Sequence, residues 1–180
     1  MNSNRINISE KVGSTSIIIL SQKDKKKQGI LLSWIVLWSL GGLVVLTQLF
    51  GKTNSEEKIF LSVWIAFWIY FEFITCHAYL WRRFGFERLL IEGDKFYYRR
   101  EIKNKGKSHS YDCSSIKKIE LIDDSSENSF LKNLRESYWI IGGEALSIEV
   151  NGKAVKLGLQ LEKQDVLKLH KLLLKKIQTK

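Results

Sequence analysis

The chain has 180 residues, 44% hydrophobic and 27% charged, with 29 lysines and arginines against 19 aspartates and glutamates. These averages fit an ordinary soluble domain, but the distribution does not. Between Gly29 and Phe50 there is no Asp, Glu, Lys, Arg or His, and between Ile59 and Trp81 only Glu72, Cys76, His77 and two tyrosines ionise. The net charge of +10 needs no nucleic-acid partner, because the bases stand where membrane orientation requires them.

The first segment, residues 1–28, carries the β-branched run Ser16 to Leu20 after Gly13, which predicts a strand. A lone strand is unstable, so it is expected to pair with a sheet formed later in the chain. Lys23, Lys25, Lys26 and Lys27 follow.

Residues 29–50 and 59–81 are each long enough to cross a bilayer, which takes about 20 apolar residues. Trp34, Leu37, Trp38, Leu40 and Val44 point to every side of the first helix, whereas a surface helix would keep a polar stripe. A secretory signal is a poor alternative, since the first run follows a long polar segment and lacks a small-residue cleavage site. Only Gly51 to Lys58 join the two runs, so they are antiparallel neighbours. Ser33, Ser39, Gly41 and Gly42 allow close helix approach. Trp34 and Trp81 lie toward the end that carries the termini, while Trp38, Trp64 and Trp68 lie deeper and pack.

The lysine cluster precedes the first span, Arg82 and Arg83 follow the second, and the loop balances Lys52 and Lys58 with Glu56 and Glu57. The positive-inside rule then places both termini in the cytosol. The sequence thus predicts a protein of the inner or plasma membrane, or of the thylakoid if the source is photosynthetic. Its partners would be the lipid bilayer and a membrane protein.

From residue 84 to 180 the pattern becomes short alternating segments. Leu89 to Glu92 and Lys95 to Ile102 flank a turn at Gly93 and Asp94. After a turn at Lys105 and Gly106 come Ser108 to Tyr111 and Ile116 to Ile122, then the polar stretch Asp123 to Glu136, read as a loop with room for a short helix. Tyr138 to Ile141, Leu146 to Val150 and Ala154 to Leu159 read as further strands, the last two joined by the hairpin signal Asn151 and Gly152. Glu162 to Ile177 predicts an amphipathic helix with Val166, Leu169, Leu173 and Ile177 on one stripe. Many strands followed by one helix imply an α+β domain, an antiparallel sheet capped by that helix.

That order, with Trp34 and Trp38 in the first span, Glu87 to Arg99 (ERLLIEGDKFYYR), Tyr111 to Glu120 (YDCSSIKKIE) and Gly142 to Leu161 (GGEALSIEVNGKAVKLGLQL), resembles uncharacterised bacterial two-span membrane proteins with a C-terminal pleckstrin-homology-like domain. The resemblance implies a curved antiparallel sheet or split barrel of about seven strands with a C-terminal helix. It implies no enzyme. A photosystem I assembly factor of plastids and cyanobacteria has a similar plan, two spans then a β domain, without a shared motif.

Among polar groups Glu72 stands out. It lies about 13 residues into the second span, roughly 20 Å along a helix, well inside the hydrocarbon. An ionised carboxylate there costs about 2.5 kcal/mol or more, so protonation or a partner is expected. Ser39, at matching depth on the first helix, is the expected hydrogen-bond partner.

The histidines and cysteines lack zinc spacing, no serine sits in a G-x-S-x-G frame, and Gly142 and Gly143 open no phosphate loop, so no metal, cofactor or catalytic residue is expected. Arg82, Arg83, Arg99 and Arg100 are candidate contacts to anionic headgroups. The expected function is noncatalytic binding or scaffolding on a membrane protein complex. The alternatives are headgroup binding by the β domain and a small transporter or proton-linked subunit built around Glu72.

Overall fold

A computed structural model describes residues 5–51, 54–122 and 137–177. Two long helices come first in importance: α1, Lys25–Leu49, and α2, Ser55–Phe84. At 1.5 Å per residue they are about 37 and 45 Å long, more than the ~30 Å of a bilayer's hydrocarbon. The Asp24 side chain starts α1 by accepting from the backbone N–H groups of Lys26 and Lys27 at 3.0 and 3.1 Å. At the start of α2 the Glu57 carboxylate accepts the Asn54 N–H at 3.3 Å.

The helices pack antiparallel through small residues and indoles. Trp38 stacks on Trp34 at 5.7 Å and tilts against Trp64 at 6.2 Å. Trp68 donates its indole N–H to the Trp38 carbonyl at 3.0 Å, and its ring fills the space over Gly42. A methyl group on Gly42 would lie 1.9 Å from the Trp68 ring, whereas one on Gly41 would meet nothing. Gly42→Ala is therefore expected to destabilise the hairpin by about 1–3 kcal/mol, the cost of overpacking. Gly41→Ala should be neutral or gain up to about 1 kcal/mol from helix propensity. Unfolding of the two variants in detergent checks the contrast, and equal effects would dismiss the Gly42 seat.

The sheet domain is assembled from both sides of the hairpin. Strands β1, Ile6–Lys11, and β2, Ser14–Leu20, precede α1. Strands β3, Gly85–Glu92, β4, Lys95–Ile102, and β5, Ser108–Asp112, follow α2, the first of them without a linker. Together they form one antiparallel sheet in chain order. β2 pairs with β3 from Ser14 opposite Glu92 to Leu20 opposite Phe86, so the helical hairpin is inserted between adjacent strands. Residues 84–180 consequently lack two of the five strands of the sheet to which they belong, and the segment before α1 is part of the same domain. β1, a sixfold ladder with β2, adds a strand that the sequence pattern does not predict.

A second antiparallel sheet contains β6, Ile116–Leu121, β7, Glu144–Val150, and β8, Lys153–Leu159. Asn151 and Gly152 both take positive φ, 50° and 75°, in the turn that joins β7 to β8. Helix α3, Lys163–Ile177, buries Val166, Leu169, Leu173 and Ile177. One core unites Ile17, Ile19, Leu89 and Phe96 of the first sheet with Ile119, Leu146, Ile148 and Leu157 of the second and with this helix stripe.

One expected strand is absent. Residues 138–141 form a turn and bend, because their carbonyls face a side chain instead of a neighbouring strand. Asp123 to Glu136, expected as a loop with room for a short helix, lie outside the described residues.

Candidate functional site

Three polar clusters hold most of the chemistry-bearing residues. The first lies between the long helices. Ser39 donates its hydroxyl to Glu72 Oε1 at 2.6 Å, and the Cys76 thiol donates to the same oxygen at 3.7 Å. Glu72 Oε2 is buried and has no hydrogen-bond partner among the described residues. Interhelical hydrogen bonds in membranes are worth about 0.6 kcal/mol on average and at most about 1.7. Ser39→Ala is expected to cost that much in wild-type background and nothing further in Glu72→Leu. A double-mutant cycle on detergent unfolding measures this, and additive costs would show that the bond carries no energy.

The second cluster joins the helices to the sheets. Arg82, in the last turn of α2, is 2% exposed. It donates to the carbonyls of Tyr138, Ser137 and Ile140 at 3.0, 3.2 and 3.2 Å and to Gln160 Oε1 at 2.6 Å. Its guanidinium also lies 3.9 Å from the centre of the Tyr138 ring. Arg5 approaches Gln160 from the other side, donating to its carbonyl and to those of Leu20 and Leu159. Burial lowers the Arg5 pKa from its ordinary value, against the pull of Asp165, Glu87 and Glu162. Tyr138 donates to the Asp24 carbonyl at 3.4 Å, and Trp139 meets Trp34 edge-on at 5.5 Å. The loop around residues 137–141 is thus pinned to α1, α2 and the end of β8.

The third cluster closes the gap between the sheets. Glu87 on β3 and Arg100 on β4 are cross-strand partners on the inner face. Glu87 is wholly buried; its Oε2 accepts the Gly158 N–H at 2.7 Å, and Oε1 lies 3.4 Å from Arg100 Nε. Arg100 donates to the Tyr98 hydroxyl at 2.6 Å, and to Glu144 and the Lys156 carbonyl at 3.1 Å each. The Tyr98 hydroxyl donates in turn to the Lys156 carbonyl at 3.3 Å. Burial pushes the Glu87 carboxyl above its ordinary range, and Arg100 with the backbone N–H groups of Gly158 and Leu159 offsets only part of that. Burial and then the Glu87 carboxylate push the Tyr98 phenol well up, so it stays a neutral donor.

Of the four arginines expected at headgroups, Arg82 is therefore removed, since it is buried and committed to carbonyls. Arg100 is spent on the link between the sheets. Arg83, bonded to the Tyr79 hydroxyl at 2.9 Å, is exposed, while Arg99 is half-buried. Arg99 and Arg88 share the buried Glu101 at 3.7 and 3.2 Å. Among the described residues no three of His, Cys, Asp and Glu gather into a metal-binding group. His77 stacks on Phe73, His109 on Tyr111, and neither Cys76 nor Cys113 is in a disulfide. No protein family, no curated protein and no solved structure matches the chain.

The Ser39–Glu72 bond stands where depth matching places it, and of the two clusters at the sheets one was within reach of sequence reasoning. A turn at Gly93 and Asp94 sets Glu92 opposite Lys95 and therefore Glu87 opposite Arg100, an acid and a base on the same face. Arg82 differs from Arg83 by one helical step, and nothing local marks it as the inward one.

Proposed function

We propose that the chain is a two-pass, membrane-anchored, noncatalytic binding module whose sheet domain works on a membrane protein complex from the cytosolic side. The observation that carries this reading is the insertion of the hairpin between β2 and β3, with Arg82 tying its end to the 137–141 loop and to Gln160. Chain continuity at two adjacent strands and a buried clamp leave the sheet domain no hinge on which to swing. A binding surface so mounted is held at a fixed height and orientation over the bilayer.

The helices themselves favour insertion. Only 11% of each apolar window is buried, whereas a soluble core helix is mostly buried. Cleavage of α1 as a signal would also remove β1 and β2 from the sheet. Lys23, Lys25, Lys26 and Lys27 around the start of α1 and Arg83 in the last turn of α2 favour cytosolic termini. Seven strands, β2 to β5 and β6 to β8, followed by a helix support the pleckstrin-homology-like reading, with β1 and the hairpin as additions.

Affinity purification in mild detergent tests the reading: a stoichiometric membrane partner is expected. Recovery of the chain alone, or its extraction by carbonate as a monodisperse detergent-free protein, would refute it. One observation favours headgroup binding as a second reading: Arg83 and Arg88 flank the α2–β3 junction, the pairing of β3 with β4 brings Arg99 opposite Arg88, and Lys103 sits 4.7 Å over the Phe84 ring at that junction. Retention of anionic over neutral lipid by the full chain in nanodiscs would distinguish it.

A further inference from the structure

An open corner remains between the two sheets. β5 is the last strand of the first sheet and β8 the last of the second, so each has one edge without a neighbouring strand. A cavity of about 460 Å³ separates them, with Tyr98 and Arg100 as its floor, Lys107 and His109 on the β5 side and Ala154 and Lys156 on the β8 side. α3 packs on β6 and β7 and leaves this corner open.

Unpaired strand edges are templates for another strand. On β8 side chains stand in for one: Tyr98 and Arg100 bond the Lys156 carbonyl, and Glu87 accepts the Gly158 N–H. Among the described residues no such cover lies over β5, where four of five residues are exposed. The charge of the slot is one-sided. Glu144, the acid in its lining, is already ion-paired with Arg100 at 3.1 Å, while Lys107 and Lys156 have no ion-pair partner among the described residues.

We propose that this slot takes an extended acidic segment of a partner membrane protein, added as a strand along β5 with its carboxylates toward Lys107, His109 and Lys156. Main-chain bonds would supply the affinity and the alternating carboxylates the selectivity. A compact dianion such as a lipid phosphate would leave the open edge of β5 unpaired, whereas an added strand satisfies it. The proposal rests on the binding-module reading and names the class of partner.

The test uses the full chain in nanodiscs of neutral phosphatidylcholine and a fluorescent peptide as long as β8, seven residues, alternating valine and glutamate. Saturable binding with Kd on the order of micromolar is expected for so small a contact. Lys107→Glu combined with Lys156→Glu should weaken it by at least about tenfold, as like charges meet. N-methylation of alternate peptide amides should abolish it, and a valine–lysine peptide should not bind.

Equal binding of the N-methylated peptide, or displacement of the peptide by inorganic phosphate or phosphatidylglycerol at matched charge, would overturn the proposal in favour of simple anion attraction. If affinity purification returns a membrane partner and the peptide still fails to bind, the binding module stands and the slot does not.

Discussion

Arg82→Ala is expected to be the most damaging single substitution in the chain, lowering stability by about 3–5 kcal/mol. Truncation strands three backbone carbonyls and Gln160 Oε1 at a site from which water is excluded. It also removes the cation from the Tyr138 ring, and with it the contact that holds Trp139 against Trp34. For a chain of this length the fall in Tm should be about 10 °C in detergent. Near-UV circular dichroism reports it directly, since Trp139 meets Trp34 edge-on only while the loop is pinned. Arg82→Lys should recover little, because an ammonium group cannot spread its donors over four acceptors as the planar guanidinium does. Arg83→Ala, one residue away and exposed, should stay within about 0.5 kcal/mol of wild type. Equal melting of the Arg82 and Arg83 variants would mean that the clamp contributes nothing and that the rigid mounting of the sheet domain has another source.

The contrast between these neighbouring arginines also marks the limit of what the chain discloses by itself. Long-range order in composition is legible: two long apolar runs yield two helices, and the Ser39–Glu72 contact follows from counting depth along them. Turn chemistry is legible where only few residues suit the backbone, as at Asn151 and Gly152 with their positive φ. β1 escapes because only Ile6 and Ile8 alternate with polar residues in it, too short a signal beside the exposed edge it forms. Tyr138 to Ile141 mislead in the opposite direction. Four consecutive apolar residues imitate a buried strand, yet they are apolar because they pack at the foot of the helical hairpin. The carbonyls of Tyr138 and Ile140 turn to Arg82, a partner 56 and 58 residues away in sequence. Local patterns cannot encode such a partner, because the loop acquires its shape only once α2 and β8 have met.

Arg100→Leu is the second substitution expected to be severe, at about 3 kcal/mol near neutral pH, and its cost should depend on Glu87 and on pH. The wild-type pair places a fully buried carboxylate beside a guanidinium that is about one-third exposed. Burial already raises the Glu87 pKa despite Arg100, so the folded chain holds this proton more tightly than the unfolded chain does. A carboxyl with a raised folded pKa contributes stability that is complete below its ordinary range, about pH 4.5, and is lost as pH rises through the folded value. Removing Arg100 takes away the largest opposing influence and moves the folded value higher still. The Arg100→Leu defect should therefore shrink on acidification, unlike a defect caused by lost packing. Glu87→Gln keeps an oxygen to accept the Gly158 N–H but has no proton to release. Its stability should vary less with pH than that of wild type above pH 4.5 or so, and the double variant should recover most of what Arg100→Leu loses. Thermal melts of the four proteins across acidic to neutral pH provide the measurement. If Arg100→Leu is equally unstable at every pH and Glu87→Gln rescues nothing, the arginine joins the sheets through Glu144 and the Lys156 carbonyl alone, and the buried acid is not its dependent.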